Sequence, residues 1–195
     1  MAIGITSEIL AQDQLHAFNL GPVKTFCAEL IWELVLRNVW GAPAGVTQEE
    51  LVIFSCNHFR HELFAWYKKA RRLNPQERLS ELQDFVPRMI GTRNDRSVRS
   101  KAAETKGVLL FLVHAARTYV DKLNRGDIWL GAATSLERMF TIFHEAPVNM
   151  THAQIQDDAR EHSILCVGFV VFLRACVQAD TALLFLARLR SEWLG

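Results

Sequence analysis

The chain has 195 residues, half of them hydrophobic and 22% charged, which excludes a disordered chain and fits one globular domain. A domain of this size buries roughly 70% of the surface of its unfolded chain, so it needs neither a disulfide nor a metal to fold. The net charge of +1 excludes a general attraction to nucleic acid or membranes, so any such attraction must come from a local surface.

The first residues and the cysteines indicate an intracellular protein. Residues 1–10 contain no basic segment and no long apolar run, so we expect no secretory signal. The uncharged apolar run at 163–173 has eleven residues, whereas a membrane span needs about 20. Four cysteines lie in apolar helical patterns without a C-x-x-C pair: Cys27, Cys56, Cys166 and Cys176. They predict reduced core thiols and a cytoplasmic location, with the nucleus left open.

Start and stop signals predict about eight helices, and no stretch alternates with period two for long enough to form a strand. The first helix runs from a cap at Thr6 to about Phe18. Pro22 begins the second, which Gly41 ends. A capping box at Thr47-Gln48-Glu49-Glu50 begins a long third helix. Its apolar residues alternate steps of four and three and predict one buried seam: Val52, Cys56, Phe59, Leu63, Trp66, Ala70 and Leu73.

The next two helices flank a segment rich in arginine. Asn74-Pro75-Gln76-Glu77 has the cap, proline and glutamate of a helix start, and predicts a fourth helix up to Pro87. We expect three of its side chains to face inward: Leu79, Leu82 and Val86. The fifth helix is expected to begin between Asp95 and Ser100 and to end near Asn124, before Gly126.

The predicted fold class is all-α: a compact globule of about eight helices, orthogonal or bundle-like, with apolar central helices. The sixth helix covers 127–145, the seventh runs from 151 to about 178, and the eighth begins at 180. The third, fifth and seventh are apolar around most of their circumference, so we expect them at the centre. We predict a single α-helical domain, 1–195, in which the break at 91–97 gives possible subdomains 1–90 and 97–195.

A few residues have side chains suited to chemistry. Three side chains on one predicted helix are of types that bind metal ions and are spaced to share one ion: His58, His61 and Glu62. A metal site needs further ligands from another helix, however, and no such motif repeats in the sequence. A structural role is the preferred interpretation, and a metal-dependent helical-bundle enzyme is the third hypothesis for function. His114 lies in an apolar segment and is expected to be a core residue bonded to a carbonyl group.

Motifs for covalent or cofactor chemistry are absent from the sequence. It contains no nucleophile elbow, no cysteine or serine beside a recognisable base and no phosphate-binding glycine pattern. We therefore predict a non-enzymatic protein without catalytic residues, bound metal or cofactor.

The positive charge is unevenly distributed. The stretch from Lys68 to Lys106 contains eleven basic and five acidic residues, a net charge of +6, whereas the rest has eleven basic and sixteen acidic residues, a net charge of −5. Eight cations form two dense groups within this stretch: Lys68, Lys69, Arg71, Arg72, Arg93, Arg96, Arg99 and Lys101. The first group ends a helix, where the helix dipole favours cations.

The second group stands where a helix is expected to begin, and helix starts disfavour cations. Helix stability therefore does not explain Arg96, Arg99 and Lys101, and an anionic partner is the better explanation. If the segment is helical, Arg96 and Arg99 share one face and Arg93 reaches over from the loop. No base-reading motif accompanies them, so contacts are expected to be with the phosphate backbone.

The leading hypothesis is an intracellular protein that binds nucleic acid, RNA more than DNA, through its backbone and as a homo-oligomer, because repeating a weak basic surface multiplies its affinity. Capsid-like, nucleoprotein-like and RNA-sequestering roles all fit. The alternative is a helical-bundle adaptor that binds a partner helix or an acidic protein. Exposure of aromatic side chains in a groove would favour the adaptor: Trp32, Trp40, Phe64 or Trp193.

Overall fold

The computed structural model describes residues 20–76 and 79–145. These residues form four α-helices: α1 (Pro22–Leu36), α2 (Gln48–Leu73), α3 (Ala102–Thr118) and α4 (Gly126–Glu145). One turn of 3-10 helix, Pro87–Met89, lies between α2 and α3. No β-strand occurs in this part of the chain. The all-α prediction is confirmed for it, whereas the predicted first, seventh and eighth helices, with Cys166 and Cys176, lie outside the described residues.

Local signals set the starts of α1 and α2, which are the predicted second and third helices. Pro22 stands in the first turn of α1, where its missing N–H leaves no hydrogen bond unmade. At α2 the backbone N–H of Glu50 donates to Thr47 Oγ1 at 3.3 Å, and Thr47 N–H donates to the Glu50 carboxylate at 2.7 Å. This is the predicted capping box.

The two central helices are α1 and α3. Each buries side chains around most of its circumference, and Phe26, Leu30, Leu109 and Leu112 are at most 1% exposed. The prediction of a central position is confirmed for α3, the predicted fifth helix, but it is wrong for α2, the predicted third helix. One face of α2 carries exposed polar side chains, such as His58 and Lys68, which lose their hydration if buried without partners. The predicted second helix, α1, takes its place at the centre.

The buried seam of α2 is confirmed through its first half. Cys56, Phe59 and Leu63 are almost fully buried, and the Phe59 ring lies 4.3 Å from the Phe85 ring and 5.0 Å from the Phe111 ring. Beyond Leu63 the buried residue is Tyr67, and Leu73 is 67% exposed. The seam therefore ends before the helix does, and the last turn of α2 extends beyond the core.

The prediction of a fourth helix is wrong, because residues 79–86 are not helical. Leu82 and Phe85 are buried, and the acidic side chains beside them pair with α2: Glu81 with Arg71 at 3.1 Å and Asp84 with Arg60 at 3.2 Å. These arginines lie about 16 Å apart along α2, whereas three helical residues advance only about 4.5 Å. A non-helical chain covers more of that distance, so burial and pairing outweigh the local start signal.

Contacts fix the relative directions of the helices. Lys24, in the first turn of α1, donates to the carbonyl of Ser100, just before α3, while Glu33 accepts a hydrogen bond from the N–H of Asn124, after α3. Thus α1 and α3 run in the same direction. Tyr67, near the end of α2, lies against Gly107 in the first half of α3. The C-terminal end of α2 and the N-terminal end of α3 therefore lie on the same side of the bundle.

Candidate nucleic-acid interface

The last two turns of α2 carry the first cation group. Lys68, Lys69, Arg71 and Arg72 are all exposed. The Arg71 guanidinium pairs with Glu81 at 3.1 Å, but its side chain is 63% exposed, so water screens the pair and it contributes little. Arg71 and Arg72 occupy the last turn, where the helix dipole favours them as predicted.

Residues 89–99, called the hairpin, turn back on themselves. The N–H of Arg99 donates to the carbonyl of Met89 at 2.8 Å, and that of Ser97 donates to the carbonyl of Ile90 at 3.2 Å. Gly91 has a φ of +69°, and a Cβ there would come within 2.2 Å of the Asp95 carbonyl oxygen. Only glycine fits this turn.

The hairpin delays the start of α3, which begins at Ala102 instead of between Asp95 and Ser100. The backbone N–H groups of Ser97 and Arg99 donate across the hairpin to Ile90 and Met89, and this pairing holds residues 97–99 in a non-helical conformation. Arg96 and Arg99 therefore do not share a helical face. The argument that a helix start disfavours cations applies only to Lys101, which directly precedes α3.

Arg96 turns toward the bundle, unlike the other two arginines of the hairpin. Its guanidinium forms an ion pair with Glu29 of α1, and the two side chains are only 16% and 18% exposed. Its Nε–H also donates to the carbonyl of Arg93 at 3.1 Å. An internal carboxylate thus accounts for one of the three arginines. Arg93 and Arg99 are exposed, as is Lys101.

Seven of the eight predicted cations form what we call the basic surface: Lys68, Lys69, Arg71, Arg72, Arg93, Arg99 and Lys101. The end of α2, which carries the first group, and the start of α3, which follows the second group, lie at the same end of the bundle. Tyr67, near the end of α2, lies against Gly107 of α3, where a Cβ would come within 3.2 Å of its hydroxyl, so the end of α2 lies close to the start of α3. Burial raises the pKa of this hydroxyl, and the carboxylates of Glu81 and Glu104 raise it further.

Two further cations lie near the basic surface, although the sequence did not predict them as part of it. Lys24 donates to the Ser100 carbonyl at 3.3 Å from α1. Arg88 is exposed and directly precedes Met89, whose carbonyl pairs with Arg99. Lys24 is 76 positions away from Ser100, and no local pattern links residues so far apart.

The residues considered for metal binding or catalysis are exposed or bonded to other groups. His58 and His61 are exposed, and the His58 ring lies 4.4 Å from that of Phe54. Glu62 accepts hydrogen bonds from the Trp40 indole and the Tyr119 hydroxyl. The described ranges contain no group of three or more His, Cys, Asp or Glu side chains placed to hold an ion. His114 is exposed, so its prediction as a core residue is wrong: it lies on the outer side of α3.

The aromatic residues that could line an adaptor groove are mostly covered. Trp32 is buried and donates to the carbonyl of Ile90 at 2.7 Å. Trp40 and Phe64 are half-buried, and Trp40 donates to Glu62 at 3.0 Å. Trp193 lies outside the described residues. None of the three described side chains is exposed in the way that would favour the adaptor hypothesis.

Comparison with known proteins gives no family for this chain. No family model matches it, and no curated protein or solved structure does. Among the helices of the described ranges, none is long and apolar enough to span a membrane. The function must therefore be argued from the geometry of the basic surface.

Proposed function

We propose that this protein binds the phosphate backbone of nucleic acid, RNA more than DNA, through the basic surface and without an enzymatic step. One observation carries the proposal: seven exposed cations lie in two segments, the end of α2 and the residues leading to α3, and these two helix ends lie at the same end of the bundle. Neither the dipole of α2 nor that of α3 accounts for Arg93, Arg99 and Lys101.

The chemistry of these side chains suits phosphate. Arginine donates through a planar fork that matches phosphate oxygens, and lysine adds a point charge on a flexible stem. Phosphate contacts are the same for every sequence, so we expect weak sequence preference. With four to six phosphates engaged, log K should fall with log salt with a slope of roughly −3 to −5.

We further propose that the protein acts as a homo-oligomer. A surface of this size binds weakly alone, and repeating it along a ring or filament raises the effective concentration of each copy near the nucleic acid. Sedimentation of the protein alone and with RNA tests this part: a monomer in both samples contradicts it.

The test is a salt titration of binding to labelled single-stranded RNA, duplex RNA and a polyglutamate chain of equal charge. The chain offers a matched pair of variants, Arg72→Gln and Arg117→Gln. Both arginines are exposed and both stand in the last turn of a helix, α2 and α3 respectively, but only Arg72 belongs to the basic surface. Loss of either should therefore have a similar effect on stability.

We expect Arg72→Gln, Arg93→Gln and Arg99→Gln each to weaken RNA binding and to reduce the salt slope by about one, with Arg117→Gln unchanged. Equal losses for Arg72→Gln and Arg117→Gln would show that net charge, and not this surface, controls binding. Tighter binding to polyglutamate than to RNA would indicate an acidic protein partner and overturn the proposal.

A further inference from the structure

We propose that Arg96 is a positioning residue, whose guanidinium holds the hairpin against α1 so that Arg93 and Arg99 are presented to a polyanion in a fixed arrangement. The inference rests on the proposed function and deepens it. It divides the three regularly spaced arginines into two that contact the ligand and one that holds the other two in place.

The contacts of Arg96 join the tip of the hairpin to α1. Its Nε–H donates to the carbonyl of Arg93, at the tip, at 3.1 Å. Its terminal nitrogen pairs with Glu29, in the middle of α1. One side chain thus ties the backbone of Arg93, a contact residue in the proposed function, to a helix of the core. A guanidinium has donors in two directions and can make both contacts at once.

Two other contacts tie the same segment to α1. The Trp32 indole donates to the Ile90 carbonyl at 2.7 Å, and Lys24 donates to the Ser100 carbonyl at 3.3 Å. Arg96 acts between these two, closest to the exposed tip. Without it, the base of the hairpin stays attached while the turn that carries Arg93 loses this contact with α1.

The low exposure of the pair makes this link effective. Charges removed from water are not screened as surface pairs are, and removal of one partner leaves the other uncompensated. A hairpin that is already ordered avoids the entropy cost of ordering on binding, which corresponds to roughly two- to tenfold in affinity for each immobilised side chain. Arg96 therefore increases affinity without touching the ligand.

The decisive variant is Glu29→Gln, which leaves every cation in place and makes the protein more positive by one charge. Electrostatics alone predicts tighter binding to RNA. Positioning predicts binding about three- to tenfold weaker at fixed salt, because the hairpin must then be ordered on binding. Asp121→Asn is the matched control, since Asp121 is an exposed acid beyond the end of α3 and belongs to neither the hairpin nor α1. It should bind as wild type or slightly more tightly.

Charge exchange separates positioning from direct contact. Arg96→Glu alone should bind most weakly, and the double variant Glu29→Arg/Arg96→Glu restores the ion pair with the wild-type net charge. We expect the double variant to recover a large part of the lost affinity. If it binds as weakly as Arg96→Glu, the charge at position 96 acts on the ligand directly and the proposal is overturned.

Hydrogen exchange of the protein without RNA tests the link itself. Glu29→Gln should speed exchange of the Thr92 and Asp95 amides, which are hydrogen-bonded within the turn, and leave the Arg99 amide at the base and the α3 core amides unchanged. If Glu29→Gln does not fold, Arg96→Lys serves instead, because lysine keeps the pair but loses the Nε–H donor to Arg93. Unchanged exchange in the hairpin overturns the positioning role alone. Absence of RNA binding by the wild type, with faster exchange in the variant, overturns the proposed function instead.

Discussion

The indole N–H of Trp32 donates to the backbone carbonyl of Ile90 at 2.7 Å and thereby joins the middle of α1 to the base of the hairpin. Trp32 is 2% exposed and Ile90 is fully buried. The same carbonyl accepts the N–H of Ser97 at 3.2 Å. One oxygen thus connects the core helix, the 3-10 turn and the segment leading to α3.

We predict that Trp32→Phe lowers the free energy of unfolding by about 1–3 kcal/mol, from the lost hydrogen bond and the smaller ring. Urea denaturation followed by circular dichroism measures it. Trp66→Phe is the control, because Trp66 is half-buried and donates no hydrogen bond in the described residues. A loss for Trp66→Phe as large as for Trp32→Phe would mean that ring volume alone is responsible.

Glu62 joins three elements by accepting hydrogen bonds from Trp40, after α1, and from Tyr119, after α3. Bonds to a charged acceptor contribute more than neutral ones, so we predict that Tyr119→Phe costs about 1.5–3 kcal/mol of stability. A double-mutant cycle with Glu62→Gln should give a coupling of about 0.5–3 kcal/mol. The exposed neighbour His61, changed to Gln, should alter stability by less than about 0.5 kcal/mol. Zero coupling would contradict the hydrogen bond.

Local chemistry made α1 and α2 predictable. A proline at a first turn and a reciprocal capping box act within four residues, and the structure has both where the sequence places them. The start of α3 was harder to predict, because the residues that precede it pair backward with Met89 and Ile90. The prediction of a fourth helix was wrong for a similar reason: its start signal is local, whereas Leu82 and Phe85 are held by α2.

The candidate site was predictable in its composition but not in its arrangement. Charge counting identifies the basic stretch, and seven of the eight predicted cations are exposed. The inward turn of Arg96 could not be predicted, since Glu29 lies 67 positions away and a spacing of three suggests a shared helical face. An ion pair between distant segments leaves no local pattern in a sequence.

Two helical glycines differ in their surroundings and give opposite predictions. A Cβ at Gly107 would come within 2.8 Å of the Ser80 carbonyl oxygen and 3.2 Å of the Tyr67 hydroxyl, whereas a Cβ at Gly131 would meet nothing within 4 Å. We predict that Gly107→Ala destabilises by about 1–3 kcal/mol through overpacking. Gly131→Ala should stabilise by about 0.5–1 kcal/mol, because alanine loses less backbone entropy in a helix.

Thermal unfolding of the two alanine variants beside wild type measures the difference. The close approach of α3 to Tyr67 and Ser80 also sets the position of the end of α2 against the start of α3, which follows the hairpin, so Gly107→Ala should weaken RNA binding as well. A stabilising Gly107→Ala would contradict this packing of α2 against α3.

The buried thiols of Cys27 and Cys56 make stability depend on alkaline pH. Both are free, and burial raises the pKa of Cys27 above its usual range and that of Cys56 to about 12, from 9.0. As the pH rises through 9, the thiols of the unfolded chain lose protons while those of the folded chain keep them. The unfolded state then binds fewer protons, so stability falls with rising pH.

We predict a loss of at most about 1.4 kcal/mol per pH unit for each thiol above about pH 9. Urea denaturation from about pH 8 to about pH 10.5 should show a shallower decline for the double variant Cys27→Ala/Cys56→Ala than for wild type. The variant should be less stable at the lowest pH, because each substitution leaves a small cavity. The prediction concerns the slope of stability against pH and not the stability at one pH. Cys166 and Cys176 are present in both proteins, so the difference between the two slopes comes from Cys27 and Cys56. Equal slopes would mean that Cys27 and Cys56 ionise as readily in the folded protein as in the unfolded chain.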